Sequence, residues 1–201
     1  FEQERDSAAI NETLLEGGGP LEPHTVRNAL LALVTLRYTQ SNSVVLAKDG
    51  IALAVGAGQQ NRVDCVRLAA MKARIWWLRR HPNVRQLARV GGMKANDRLN
   101  WQIRLADGVM TRLQVLEFAA LFGSEALTNL NDGLWREEWM KGLRDVTLGS
   151  DGFLPFRDNV DFAAEVGVQT IIEPGGSIRT PEVKRAAREL GIRHVETALR
   201  L

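Results

Sequence analysis

The chain has 201 residues, 26 basic against 24 acidic side chains, 45% hydrophobic residues and one cysteine. That length is ample for one domain and thin for two, and the composition excludes disorder, collagen-like repeats and a disulfide scaffold. No apolar run approaches the roughly 20 residues that cross a bilayer, and the charged start Phe1-Glu2-Gln3-Glu4-Arg5-Asp6 is no signal peptide, so a cytoplasmic protein without a membrane partner is expected.

The first 22 residues carry six acids against one arginine and end near Gly17-Gly18-Gly19-Pro20, which predicts a polar arm or linker over 1–22 leading into a domain over 23–201. A chain that opens on Phe1 also implies that something upstream has been removed. Val26, Leu30, Leu33 and Val34 recur at helical spacing, so a helix is expected over about 25–36. The polar knot Thr39-Gln40-Ser41-Asn42-Ser43 follows. Val44 to Ala47 and Ile51 to Val55, joined through Lys48-Asp49-Gly50, predict a β-hairpin.

The second strand runs into Gly56-Ala57-Gly58-Gln59-Gln60-Asn61-Arg62, and Val63, Val66, Ala70, Ala73 and Trp77 then mark a long helix to about Arg80. Residues 82 to 145 read as an irregular helical excursion. Beyond it the spacing predicts a helix over Asp158 to Glu165, a strand over Val168 to Ile172, a loop through Pro174-Gly175-Gly176-Ser177, a helix over Pro181 to Leu190 capped by Thr180, and a strand over Ile192 to Thr197. Strands alternating with helices indicate an α/β layered domain.

Several segments are able to carry chemistry. Glycines after a strand let a ligand approach the backbone, the helix start offers free amides, and Arg62 adds a fork of donors; an ordinary tight strand-to-helix turn has the same residues. In Ser150-Asp151-Gly152-Phe153-Leu154-Pro155-Phe156-Arg157-Asp158-Asn159 two phenylalanines flank a proline, so they either stack on a flat heterocycle or fill the core while Asp158 or Asn159 caps a helix. The knot at 39–43 suits a small ligand, a monovalent cation or a plain loop. Cys65 reads as a small buried hydrophobe. His194-x-Glu196 begins a zinc deaminase signature, but no Pro-Cys-x-x-Cys completes it, so no zinc is expected; His24, His81 and His194 read as isolated. Lys72 to Arg98 carries eight basic residues against Asp97, and with Trp77 on the apolar stripe of its helix this reads as a solvated face, with no nucleic-acid partner expected.

Taken together, Arg37-Tyr38-Thr39-Gln40-Ser41-Asn42-Ser43, the turn Gly56 to Arg62, Trp76-Trp77-Leu78-Arg79, the segment Ser150 to Asp161 and the closing Leu199-Arg200-Leu201 resemble aminoimidazole carboxamide ribonucleotide (AICAR) transformylase, over almost the whole chain. The resemblance implies a folate-dependent formyltransferase of purine (IMP) biosynthesis, with 10-formyltetrahydrofolate as co-substrate and AICAR as acceptor. It implies Asn42 beside the reacting groups, Arg62 on the carboxamide, Phe153 and Phe156 walling the rings, Asn159 on the folate and Arg200 on the phosphate. It further implies a monovalent cation, potassium, near Thr39, Ser41, Ser43 and Asp151, a cytidine-deaminase-like three-layer α/β fold without zinc, and a homodimer. The family's Lys-His pair and terminal Phe-His-His are absent here, Gly152 stands where the family usually has alanine, and Leu154 where it has phenylalanine. The chain therefore looks like the C-terminal half, expected to bind ligand without turning over alone. The alternative is a non-catalytic nucleotide-binding or regulatory module using the same pocket.

Overall fold

Pro23 opens the first helix, α1 (Pro23–Arg37), where its missing N–H costs nothing, and Ala29, Ala32, Leu33 and Leu36 give it one buried stripe. The computed structural model describes residues 8–201; the first seven residues of the polar arm lie outside the described residues. The rest of that arm is not loose. Glu12–Gly18 forms a 3-10 helix whose Leu15 is buried in the cluster under α1, with Ile10, Leu14 and Leu21 packed against that cluster, because apolar residues interleave the acids.

β1 (Ser43–Lys48) and β2 (Ile51–Ala57) form the expected hairpin, with Asp49 and Gly50 both at positive φ in its two-residue turn. Asn28 of α1 accepts the Gly50 N–H at 2.9 Å. α2 (Arg62–Leu78) follows the glycine turn. The tail holds α7 (Asp158–Ala164), β4 (Val168–Glu173), α8 (Thr180–Glu189) and β5 (Arg193–Glu196), close to the spans expected. Thr180 is the first residue of α8 rather than its cap: its Oγ1 accepts the Ser177 N–H, and Ser177 Oγ accepts the Arg179 N–H.

β3 (Val146–Ser150) lies where periodicity shows no strand, because all five of its residues are buried and Thr147, Gly149 and Ser150 break any apolar alternation. Among the described residues the strands form one mixed sheet in the order β2-β1-β3-β4-β5, with β1 antiparallel to both neighbours and β3, β4 and β5 parallel. α1 covers one face, packing on Val45, Ala47, Ile172 and Val195. Val44 and its partner Gly56 point to the other face, where α2 crosses. Ser43 pairs with Ala57 and Val44 with Ser150, so the start of β1 and the ends of β2, β3, β4 and β5 share one edge of the sheet.

Residues 74–143 form a second compact unit. It holds the last turn of α2, the short α3 (Pro82–Arg85), a 3-10 turn over Gln86–Arg89, α4 (Ala95–Asp107), α5 (Arg112–Asn131) and α6 (Leu134–Met140). Its core gathers Leu78, Leu105, Phe118 and Leu130. Buried Arg136 donates to the Leu105 and Leu130 carbonyls. His81 sits 4.5 Å from the Trp135 ring and 4.8 Å from that of Trp139, and its Nδ1 accepts the Asn83 N–H. No helix among the described residues is long and apolar enough to cross a membrane.

A Cβ at Gly56 would lie 1.9 Å from the Cys65 carbonyl oxygen, so Gly56→Ala must push α2 off β2 and cost at least the about 1–3 kcal/mol of ordinary overpacking; urea denaturation reads it, and an unchanged midpoint would contradict the close approach. Burial holds the His81 imidazole below its usual 6.5. The unfolded chain then binds that proton more readily, so the stabilising contribution is present above about pH 6.5 and lost as pH falls through that region toward the depressed value. The melting temperature of the chain should fall more steeply from pH 7 to 5 than that of His81→Asn, which keeps an acceptor without titrating; equal slopes would count against it.

Candidate functional site

The shared sheet edge brings four separated segments together. Arg62 opens α2 with its side chain 8% exposed, and one Nη pairs with the carboxylate of Asp151, which is 2% exposed at the end of β3. The other Nη donates to Asn42 Oδ1 at 2.9 Å. Asn42 Nδ2 in turn donates to the Gln59 carbonyl at 3.2 Å, which ties the polar knot to the glycine turn. The peptide bond between Ser41 and Asn42 is cis.

Asp151 also closes the sheet. Its Oδ1 accepts the Ser43 N–H at 3.1 Å, its own N–H donates to the Ser43 carbonyl at 3.2 Å, and its carbonyl accepts the Leu201 N–H at 3.1 Å. The chain end is thereby held beside the ion pair, with Arg200 exposed next to it. Gly152 is the residue that makes room: a Cβ there would stand 2.4 Å from an Arg62 Nη. Cys65 is buried and donates its S–H to the Asn42 carbonyl, and burial pushes its thiol up from the usual value. It is a packed structural thiol.

Phe153 and Phe156 are 41% and 43% exposed, so the rings are not core; Leu154 between them is buried instead. Arg179 lies over the Phe156 ring, 5.0 Å from its centroid. Asn159 is fully buried in α7, donates Nδ2 to the Phe156 carbonyl at 2.9 Å, and leaves its Oδ1 without a hydrogen-bond partner. Of the residues read as cation ligands, Ser43 and Asp151 come together. The buried Ser43 Oγ and Asp151 Oδ2 have no hydrogen-bond partner, Thr39 is half-buried with its Oγ1 donating to the Thr35 carbonyl, and Ser41 is exposed.

Sequence reasoning missed Glu173. It ends β4 fully buried, with Oε1 2.7 Å from His194 Nε2 and Oε2 accepting the Leu154 N–H. His194, read as isolated, is thus paired; its partner lies 21 residues away on the neighbouring strand, beyond any local pattern. The signal available was a single acid ending the predicted strand Val168 to Ile172. Glu196 completes the group, its ligand atom within 4.8 Å of those of Glu173 and His194, and it is 3.0 Å from Lys184.

Breaking a buried ion pair by removing one partner strands the other charge, at about 3–5 kcal/mol. Arg62→Met should lose that much in urea denaturation, and adding Asp151→Asn should recover a clear part of it. Equal losses in the single and double variants would show that the pair is not what holds the site.

A family model described as the AICARFT/IMPCHase bienzyme matches residues 1–72. The bifunctional purine biosynthesis protein PurH of Magnetococcus marinus is 30% identical over 175 residues, which is 87% of this chain and 22% of that protein. The chain thus spans about a fifth of the curated relative it matches. The family match over 1–72 and the 30% identity over 175 residues relate this chain to the AICAR transformylase family.

Proposed function

We propose that the chain forms the nucleotide- and folate-binding part of an AICAR formyltransferase, which moves the formyl group of 10-formyltetrahydrofolate to the 5-amino group of AICAR. The observation that carries this is the pair of solvent-facing rings, Phe153 and Phe156, on a loop whose neighbouring residues, Asp151 and Gly152, meet Arg62, which in turn donates to Asn42. Large apolar rings left exposed beside a polar cluster suit stacking of a flat heterocycle while the polar groups read its edge.

The acceptor amine is a weak nucleophile because its lone pair is delocalised into a ring bearing a carboxamide. Its attack on the formyl carbon forms a C–N bond and a tetrahedral oxyanion; collapse breaks the bond to folate N10, and the amine proton leaves to a base. Fixed donors aimed at the developing oxyanion and close positioning are what a site can supply to that step. On this reading Asn42 and Arg62 supply the donors, Phe153 and Phe156 hold the rings, Asn159 turns its unpartnered Oδ1 to the folate, and exposed Arg200 takes the phosphate. The proton-transfer Lys-His pair that the resemblance implies is not among these 201 residues.

The donor set also fits a monovalent cation, since two buried oxygens, Ser43 Oγ and Asp151 Oδ2, lack partners. Ser43 and Asp151 would hold potassium with help from Thr39 and Ser41, and the ion would supply fixed positive charge beneath the knot. A zinc-free cytidine-deaminase-like layer structure, and a homodimer completed by the remaining transformylase region, belong to the same proposal. The inward engagement of Arg62 by Asp151 and Asn42 favours a second reading, a nucleotide-binding module without turnover.

The purified chain alone should bind AICAR saturably without formyl transfer, and should support transfer once a Lys-His-bearing transformylase half is supplied. In that restored enzyme Phe156→Ala should raise the KM for the folate co-substrate by about tenfold with a smaller effect on kcat. Turnover by the isolated chain would overturn the division of labour, and ligand binding with no turnover in the restored protein would select the second reading.

A further inference from the structure

We infer that Glu173 and His194 are positioning residues that set the backbone of the aromatic loop through the Leu154 amide. The inference rests on the reading of Phe153 and Phe156 as the ring wall, and its two residues, on β4 and β5, lie outside the motifs that carry the resemblance.

A carboxylate with no solvent exposure is costly unless both oxygens are satisfied. Glu173 meets that demand by bridging two elements: Oε1 faces His194 Nε2 on β5 and Oε2 takes the Leu154 N–H from the loop after β3. Among the described residues His194 Nδ1 is buried without a partner, and the hydrogen bond this ring makes runs to Glu173. Glu196 is two residues along β5 and opposite Glu173 in register, which would set two carboxylates against each other. Lys184 of α8, 3.0 Å from Glu196, balances the second while His194 engages the first. Of the three ligand groups within 4.8 Å of one another, Glu196 is thus engaged by Lys184, and the hydrogen-bonded relay runs from His194 through Glu173 to the Leu154 amide.

What the relay fixes is the centre of the loop. Its flanks are already tied, by Ser150 Oγ donating to the Gly152 carbonyl and by Asn159 Nδ2 donating to that of Phe156. Between these ties the Leu154 N–H has Glu173 as its acceptor, and the buried Leu154 side chain anchors the same point. With Leu154 held inward, the residues on either side carry their rings to solvent. Without the acceptor, the buried amide loses its partner and the loop has a reason to turn.

Hydrogen exchange of the full chain, followed amide by amide, tests this directly. Glu173→Met keeps the volume and removes the acceptor; exchange at Leu154 should quicken by at least roughly tenfold, the value of one hydrogen bond, while Ile171 in β4 keeps its protection. Glu173→Gln, which retains an accepting oxygen, should restore most of it. If Glu173→Met does not fold, His194→Leu carries the same test, because a carboxylate no longer oriented by the imidazole is free to swing off the amide. Unchanged exchange at Leu154 in the folded variants overturns the inference. Folic acid serves as a flat-ring probe by fluorescence quenching: weaker binding by Glu173→Met and rescue by Glu173→Gln support the positioning role. Quickened Leu154 exchange with no saturable folic acid binding by the unaltered chain would leave the relay standing and sink the ring-wall reading alone.

Discussion

The buried ion pair between Arg62 and Asp151 is the constraint around which the site is arranged. Two charges taken out of water need hydrogen-bond partners, and here that demand reaches into β1 through Ser43 and the knot through Asn42, while the Asp151 carbonyl holds the chain end and its Oδ2 is left unpartnered. Three close approaches without side chains surround it. Gly56 lets α2 lie on β2, so that Arg62 starts in the right place; Gly149 lets α1 lie on β3, where a Cβ would come 2.8 Å from that of Ala32; Gly152 leaves space for the guanidinium itself.

A second fully buried carboxylate stands at the end of the next strand. Asp151 follows β3 and Glu173 ends β4, so both carboxylates lie along the edge where the parallel strands finish and where α/β sheets commonly bind ligands. Each carboxylate takes a backbone N–H as well as a cation or imidazole: Asp151 from Ser43, Glu173 from Leu154. The loop between them, Gly152 to Arg157, is consequently anchored from two sides while its phenylalanines stay exposed. Rigid backbone with exposed rings is the arrangement that a stacking site requires, because little ordering remains to be done on binding.

Much of the fold is legible in the sequence where one periodicity dominates. The apolar stripe of α1, the Asp-Gly hairpin and the spacing of Val183, Ala186 and Ala187 in α8 each show a single buried face. β3 is hidden because a central strand buried on both sides has no alternation to display, and its threonine, glycine and serine look like a turn. The helical unit reads as irregular for physical reasons as well: α5 carries a non-helical Gly123, and Arg136 places a charge inside the core, where backbone carbonyls satisfy it. The site motifs stand out as a resemblance, yet the pairing of Arg62 with Asp151 spans 89 residues and Glu173 meets His194 only because β4 and β5 are neighbours. Pairings made by the sheet leave no local trace.

On the proposed function, one edge of the sheet, and not the basic helical unit, receives the nucleotide. Amide chemical shifts of the isotope-labelled chain during titration with AICAR test it most directly. Shifts concentrated in residues 39–43, 56–62, 150–159 and 197–201 are the predicted result. Shifts confined to residues 74–143, or none at saturating AICAR, would contradict it.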